Sequence, residues 1–442
     1  MLERFFKLTE RNTTWQREVS GGATTFMTLS YIIFVQPVVM NAAGMDLESA
    51  LVATCVASAV ATFMMGLVAN YPISLAPAMG HNFFFTYVVV LTLGYTWQQA
   101  LGAIFISGVL FLALSLVGLR EQLFHAIPAT LKNAIAVGIG LLIAVVGFEW
   151  SGMIVNNPGT LVGLGQLSSA PVLLSLCGIT VIAILLALEV RAAILLGILA
   201  TILAGLATGM LEYEGLVGPI PSITPTLFQL DVWGALQGGM VSIIFIFFFL
   251  DLFDTVGTLI GVTQEAGLLK SDGTLPRARW AFLSDAVGTT VGALLGTSTI
   301  TSYVESATGI SVGARTGLAN MVTGSLFLVA IFFTPLVRMI AGGMDPGQGL
   351  VLYPVVAPAL IIVGCYMLRQ VKRIDWDNFT EAFPAFLTIL IMPMTFSITE
   401  GISFGFISYT LLKAVTGRFR EVPLLIRVFA LLFVLRYLFL SY

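Results

Sequence analysis

The sequence predicts an all-α polytopic membrane protein whose fourteen transmembrane segments form two inverted repeats of seven. Three observations predict it. Only 10% of the 442 residues are charged and 58% are hydrophobic, whereas a soluble domain carries about 25% charged residues. Apolar stretches able to cross roughly 30 Å of hydrocarbon, or to do so beside a broken neighbour, recur along the whole chain. Two short, interrupted segments also occupy matching places in the two halves.

Residues 1–22 are too charged for the apolar core of a signal peptide and read as a cytoplasmic interfacial amphipathic helix, with no cleavage implied. Spans are then expected at 23–43, 49–69, 73–92, 98–118, 131–148, 169–188 and 192–210. The second half repeats the series at 236–262, 280–295, 297–314, 317–338, 347–368, 381–397 and 401–416. In this arrangement every one of the 20 Lys and Arg residues except Arg338, Arg427 and Arg436 lies on the side of the N-terminus. Cytoplasmic loops hold the positive charge, so the N-terminus is expected in the cytoplasm and the chain in the plasma (cell inner) membrane. The long loops at 149–168 and 211–235 contain Glu149, Glu212 and Glu214 but no Lys or Arg, as an outer face should. The final segment, 421–442, stays open between two readings. Arg427 and Arg436 favour an interfacial helix, and its apolar length favours an extra span.

Cys55, Cys177 and Cys365 are far apart inside apolar runs, with neither metal-ligand nor disulfide spacing, and read as core packing. No metal site, no organic cofactor and no nucleic-acid-binding basic patch is expected.

Chemistry concentrates in two acids. Asp254 ends the apolar run IIFIFFFLDLFD, and Glu305 lies in GTSTITSYVESATGIS. An ionisable group at membrane depth costs at least roughly 2.5–3.5 kcal/mol on insertion scales, so its default reading is functional. The pair implies movement of a polar solute across the bilayer. Asp251, one turn before Asp254, competes with it for the role of proton site, with a helix-end or interhelical hydrogen bond as its structural alternative, and Asp285, in AFLSDAVGTT, reads as a structural acid facing an unassigned partner.

The repeat links these acids to the first half. Residues 25–45 (TFMTLSYIIFVQPVVMNAAGM) correspond to 247–268 (FFFLDLFDTVGTLIGVTQEAGL), and YPISLAPAMGHNFFF corresponds to GTSTITSYVESATGIS. An offset of 224 residues superposes Ser30 on Asp254 and His81 on Glu305. Pro72 and Pro77 exclude regular helix before Gly80, and the β-branched run from Thr297 to Thr301 does so before Glu305. Each interrupted segment therefore reads as a short extended stretch followed by a half-helix that starts in mid-membrane. Two such half-helices would offer free N–H groups and positive dipole ends to a common ligand.

The blocks SLAPAMGHNFFFTY, DLFDTVGTLIGV, GTSTITSYVESATGISVGARTG and TFSITEGISFGFISY together resemble the nucleobase–ascorbate transporter superfamily, in its adenine/guanine/hypoxanthine permease branch. The resemblance covers nearly the whole chain. It implies a core domain of 23–120 and 235–340, a gate domain of 131–211 and 347–420, and elevator-like alternating access of one against the other. It further implies proton-coupled purine uptake by a homodimer, with no enzymatic activity. Matched by position, its acids fall on Asp254 and Glu305 and its third-span residue on His81. There AMGHNFFF departs from the GMGLNAFF of many members.

A carboxylate accepting two purine N–H groups makes strong directional bonds, which makes Glu305 the expected main ligand acceptor. Phe253, or one of Phe83, Phe84 and Phe85, would stack on the ring. Ser30, Asn82 and Thr301 would supply further polar contacts. Burial and a like charge favour the neutral carboxyl, so Asp254 and Glu305 would share a coupling proton, with Asp254 its main seat and His81 its relay. An anion carrier of the same fold would place a cation at its centre rather than two acids. An intramembrane aspartyl protease would need a Gly-x-Gly-Asp motif, which is missing.

Overall fold

The computed structural model describes residues 2–117, 128–157, 159–237, 239–265, 268, 275–341, 343–344 and 351–439. The described set excludes the side chains of residues 2, 253, 256–257, 260–261, 264–265 and 439. Six described helices are long and apolar enough to cross a membrane: Trp15–Ala42, Leu47–Ala69, Trp97–Val117, Ala129–Trp150, Ala170–Ala187 and Gly317–Ala341. Shorter apolar helices lie at Met79–Thr92, Ala193–Ala207, Met240–Leu252 and Phe379–Thr395. The chain is thus a multi-pass, mostly helical membrane protein in which whole spans alternate with interrupted ones.

Residues 1–22 do not form the single amphipathic helix expected of them. A short helix, Leu2–Phe6, gives way to a turn in which Lys7 and Asn12 adopt left-handed φ values of 59° and 51°. A new helix then starts at Trp15, where the Thr14 side chain accepts the Arg17 N–H, and runs to Leu29. The charged leader therefore merges into the first apolar span instead of preceding it.

Four short strands interrupt the helices: β1 (Leu75–Pro77), β2 (Ile154–Asn157), β3 (Leu161–Leu164) and β4 (Ile300–Ser302). The β2–β3 hairpin occupies the long 149–168 loop and was not foreseen in an all-α reading. Its turn is held by Asn157 Oδ1, which accepts the Gly159 N–H at 2.9 Å.

Residues 1–118 with 148–359 form one compact unit, and 119–147 with 360–442 form a second. In the first, each end gathers residues that the expected topology puts on one side. Arg338 pairs with Glu48 at 2.9 Å and Glu214 at 3.1 Å, and the Asp231 N–H meets Gln98 O. At the other end, Asn70 joins Phe6 O to the Gly317 N–H, and the buried Glu18 carboxylate accepts the N–H groups of Arg315, Thr316 and Ala319. Glu18 thereby caps the start of the Gly317–Ala330 helix, whose first amides have no intrahelical partner.

In the second unit, the helices Phe379–Thr395 and Ile398–Val415 form a hairpin turned by Phe396 in the left-handed region, with Ser397 capping the second helix. Lys413 sits between Glu381 at 2.9 Å and Glu421 at 2.8 Å. The C-terminal helix, Leu424–Phe439, packs Phe433 on Phe406 and Tyr437 on Phe404.

The feature that positions the site belongs to the first unit. The Ala278–Leu295 helix stops at Gly296, whose φ of 96° only glycine adopts cheaply, and its N–H closes onto Gly292 O. The chain then enters β4, which pairs antiparallel with β1 in the register Leu75↔Ser302, Ala76↔Thr301 and Pro77↔Ile300. The Ala78 N–H to Thr299 O and the Tyr303 N–H to Ser74 O extend the ladder at both ends. Under the 224-residue offset, Ala76 and Pro77 map onto Ile300 and Thr301, so the repeat axis runs through the middle of the ladder.

Candidate functional site

Each strand leads directly into a helix. Met79–Phe83 begins two residues after β1 and continues as a π-helix over Phe84–Thr92, while Ser306–Val312 begins four residues after β4. Because the strands are antiparallel, the two helices leave the ladder in opposite directions with their N-termini beside it. Pro77 closes β1 and the β-branched residues Thr299–Thr301 favour extended backbone, so local sequence chemistry creates both breaks. Backbone groups freed at this depth are satisfied across the ladder, the condition for irregular chain inside a membrane protein.

Asp254 comes from the Met240–Glu265 helix. Its Oδ2 accepts the Thr301 hydroxyl at 3.2 Å and lies 4.0 Å from His81 Nδ1. The second separation is within ion-pair range but too long for a hydrogen bond. Among the described residues, neither ring nitrogen of His81 has a hydrogen-bond partner, although the side chain is only 1% exposed. Asp254, by contrast, is 32% exposed. Glu305 is half-buried at the residue preceding the Ser306–Val312 helix, and its Oε1 accepts the Tyr31 hydroxyl at 2.9 Å.

A buried polar lattice stands behind these acids. Gln36 Nε2 donates to Thr297 Oγ1 at 3.1 Å and Ser298 Oγ at 2.9 Å, and its Oε1 accepts from Asn82 Nδ2 at 2.5 Å. The Tyr303 hydroxyl bonds to Pro77 O across the ladder. The Thr255 hydroxyl donates to Asp285 Oδ1 at 2.6 Å, which gives Asp285 a structural partner next in sequence to Asp254.

The structure therefore brings Asp254, Thr301 and His81 into one group and carries Glu305 on the same segment as Thr301. Asn82 is wholly buried and engaged by Gln36. Ser30 is buried and turns its hydroxyl to Met27 O, while its neighbour Tyr31 makes the contact to Glu305. Phe83 stacks on Tyr87 and Phe84 packs edge-on against Phe247. The side chain of Phe253 lies outside the described residues. Sequence reasoning missed Tyr31, Gln36 and Tyr303. The available signal was a phenol or carboxamide lodged in an otherwise apolar span. Among the described residues, no group of three or more His, Cys, Asp or Glu side chains could hold a metal ion.

Asp254 and Glu305 are thus both partly exposed, each bonded to a buried hydroxyl, beside the two broken helices. The chain matches the model of a permease family over residues 16–404. It is 44% identical to the adenine permease AdeP of Escherichia coli K12, with 100% of this chain and 97% of that protein covered. It is 43% identical to the guanine/hypoxanthine permease PbuG of Bacillus subtilis, with both chains covered completely. Among solved structures it is similar to the transmembrane domain of the cyanobacterial bicarbonate transporter BicA, with a TM-score of 0.63 at 14% identity, covering 88% of this chain and 97% of that one. It also resembles SLC26A9, with a TM-score of 0.62 at 10% identity over 90% of this chain and 65% of that one. These transporter domains share the inverted-repeat fold of seven plus seven segments. The chain belongs to the nucleobase–ascorbate transporter family.

Proposed function

We propose that this permease takes up purine nucleobases, adenine, guanine or hypoxanthine, by proton symport. The observation that carries the reading is the bond of Asp254 to Thr301, four residues before Glu305 on the same interrupted segment, in a chain more than 40% identical to adenine and guanine/hypoxanthine permeases over its full length. Glu305 accepts purine N–H groups, and amides in the first turn of the Met79–Phe83 helix serve ring nitrogens or a carbonyl. Asp254 carries the coupling proton beside Thr301 and His81, which cancels one of the two charges when the site is loaded. A core of 23–120 and 235–340 then moves past a gate of 131–211 and 347–420, elevator-fashion. The protein works as a homodimer in the cell inner membrane with its N-terminus in the cytoplasm. An inorganic anion, the cargo named for BicA, would meet two carboxylates here, so the likeness to that structure supports the fold and not the cargo.

The test is uptake of radiolabelled adenine, hypoxanthine, guanine, xanthine and uracil into proteoliposomes, with and without an inward proton gradient. Accumulation of a purine that collapses with a protonophore is the expected result. No nucleobase uptake by sealed, correctly reconstituted vesicles would overturn the reading.

A further inference from the structure

The one side-chain hydrogen bond to Glu305 among the described residues comes from Tyr31, a residue with no place in the repeat pattern that marks the acids. Tyr31 is 1% exposed and opens the Tyr31–Ala42 helix, directly after the interruption at Ser30. Its position is fixed by more than this bond. Near the other end of the same span, Gly21 and Gly309 approach so closely that a Cβ on either would strike the other's backbone or Thr25 Oγ1. Thr28 Oγ1 and Thr308 Oγ1 lie 3.0 Å apart between those glycines and the Tyr31–Glu305 pair. Three successive contacts thus lock the first span to the Ser306–Val312 half-helix, and the phenol is delivered to Glu305 Oε1 by a rigid frame.

We propose that Tyr31 is a positioning residue for substrate: it holds the Glu305 carboxylate in the plane and rotamer in which its remaining lone pairs accept the N–H groups of a purine. The inference rests on the purine reading above and deepens it. A carboxylate that must meet two N–H donors at once has little tolerance for rotation, and a donor fixed on one oxygen removes that freedom before ligand arrives. The phenol touches no part of the ligand in this scheme and acts only through Glu305.

The test is equilibrium binding of radiolabelled adenine, guanine and hypoxanthine to the purified full-length protein, together with proteoliposome uptake. Tyr31→Phe deletes one oxygen from a buried ring and preserves its packing, so the melting temperature in detergent should stay within a few degrees of wild type. Loss of one charge-assisted bond should raise Kd and KM roughly tenfold, with maximal uptake changed less than twofold. Glu305→Asp withdraws the carboxylate from the phenol, so adding Tyr31→Phe to it should produce no further loss. Unchanged Kd in Tyr31→Phe, or additive losses in the double variant, would overturn the assignment. A fall in maximal uptake and melting temperature with Kd preserved would overturn it too, by marking Tyr31 as packing. Failure of the wild type to bind any purine would overturn the purine reading and this inference with it.

Discussion

Thr301 is bound on two sides at once: its backbone pairs with Ala76 in the ladder, and its hydroxyl reaches Asp254 Oδ2 at 3.2 Å. An acid on one helix is thereby fastened to the extended chain of another segment. Thr301→Val preserves shape and β-branching but removes the donor. A hydrogen bond to a charged group is worth ~1.5 kcal/mol or more, so KM for proton-driven purine uptake should rise about tenfold, while Thr301→Ser stays near wild type. Equal KM values for the valine and serine variants would show that the contact is idle.

The two acids should fail differently. Glu305→Gln replaces one acceptor oxygen with a donor, and losing two bonds to a charged group costs about 3 kcal/mol, or roughly a hundredfold in affinity. Asp254→Asn should bind purine within a few-fold of wild type and still exchange labelled for unlabelled purine across the membrane, but lose its response to a proton gradient. Gradient-driven accumulation by Asp254→Asn would move the coupling site elsewhere.

Gln36 is the hub of the buried lattice, bonded to Asn82, Thr297 and Ser298. Gln36→Leu leaves those partners buried without their bonds, and each such loss costs about 1–3 kcal/mol. The variant is expected to be destabilised by about 2–4 kcal/mol in total, seen as a clear drop in melting temperature in detergent. A melting temperature equal to wild type would mean that the lattice re-pairs without it.

The C-terminal helix is expected to cross the bilayer. Phe433 meets Phe406, Tyr437 meets Phe404, and Arg436 Nη2 lies 2.8 Å from Glu400 Oε1, an antiparallel match along the Ile398–Val415 helix. In a background with Cys55, Cys177 and Cys365 replaced, Phe439→Cys should react with an impermeant thiol reagent from outside the cell, and Arg418→Cys should not. Protection of both positions would return this helix to the cytoplasmic interface.

The interruptions were legible in the sequence because they arise from local chemistry. Pro77 cannot donate to a helix, a run of threonines and isoleucine prefers extended chain, and both acts are written within a few residues. Asp254 and Glu305 were legible because charge in an apolar run is rare. Tyr31 and Gln36 were not, since the partner of a lone phenol or carboxamide depends on which distant segment the fold lays beside it. The repeat offset pointed to Ser30, one residue from Tyr31, because superposing chain positions locates a backbone site while a helix turns consecutive side chains about 100° apart. The leader was misjudged for a similar reason: Thr14 starts a helix that ignores the change in polarity at residue 22.

The pairing of Leu75–Pro77 with Ile300–Ser302 makes each half of the gene the caretaker of the other's exposed amides. At that depth there is no water to take over a broken rung, and every orphaned peptide group carries a penalty of several kcal/mol. Prising the halves apart is therefore not a route by which cargo can enter or leave. Under the elevator motion proposed above the crossbar travels intact with its acids aboard, and a fragment containing only residues 1–234 or only 235–442 should assemble no working carrier until the two are brought together.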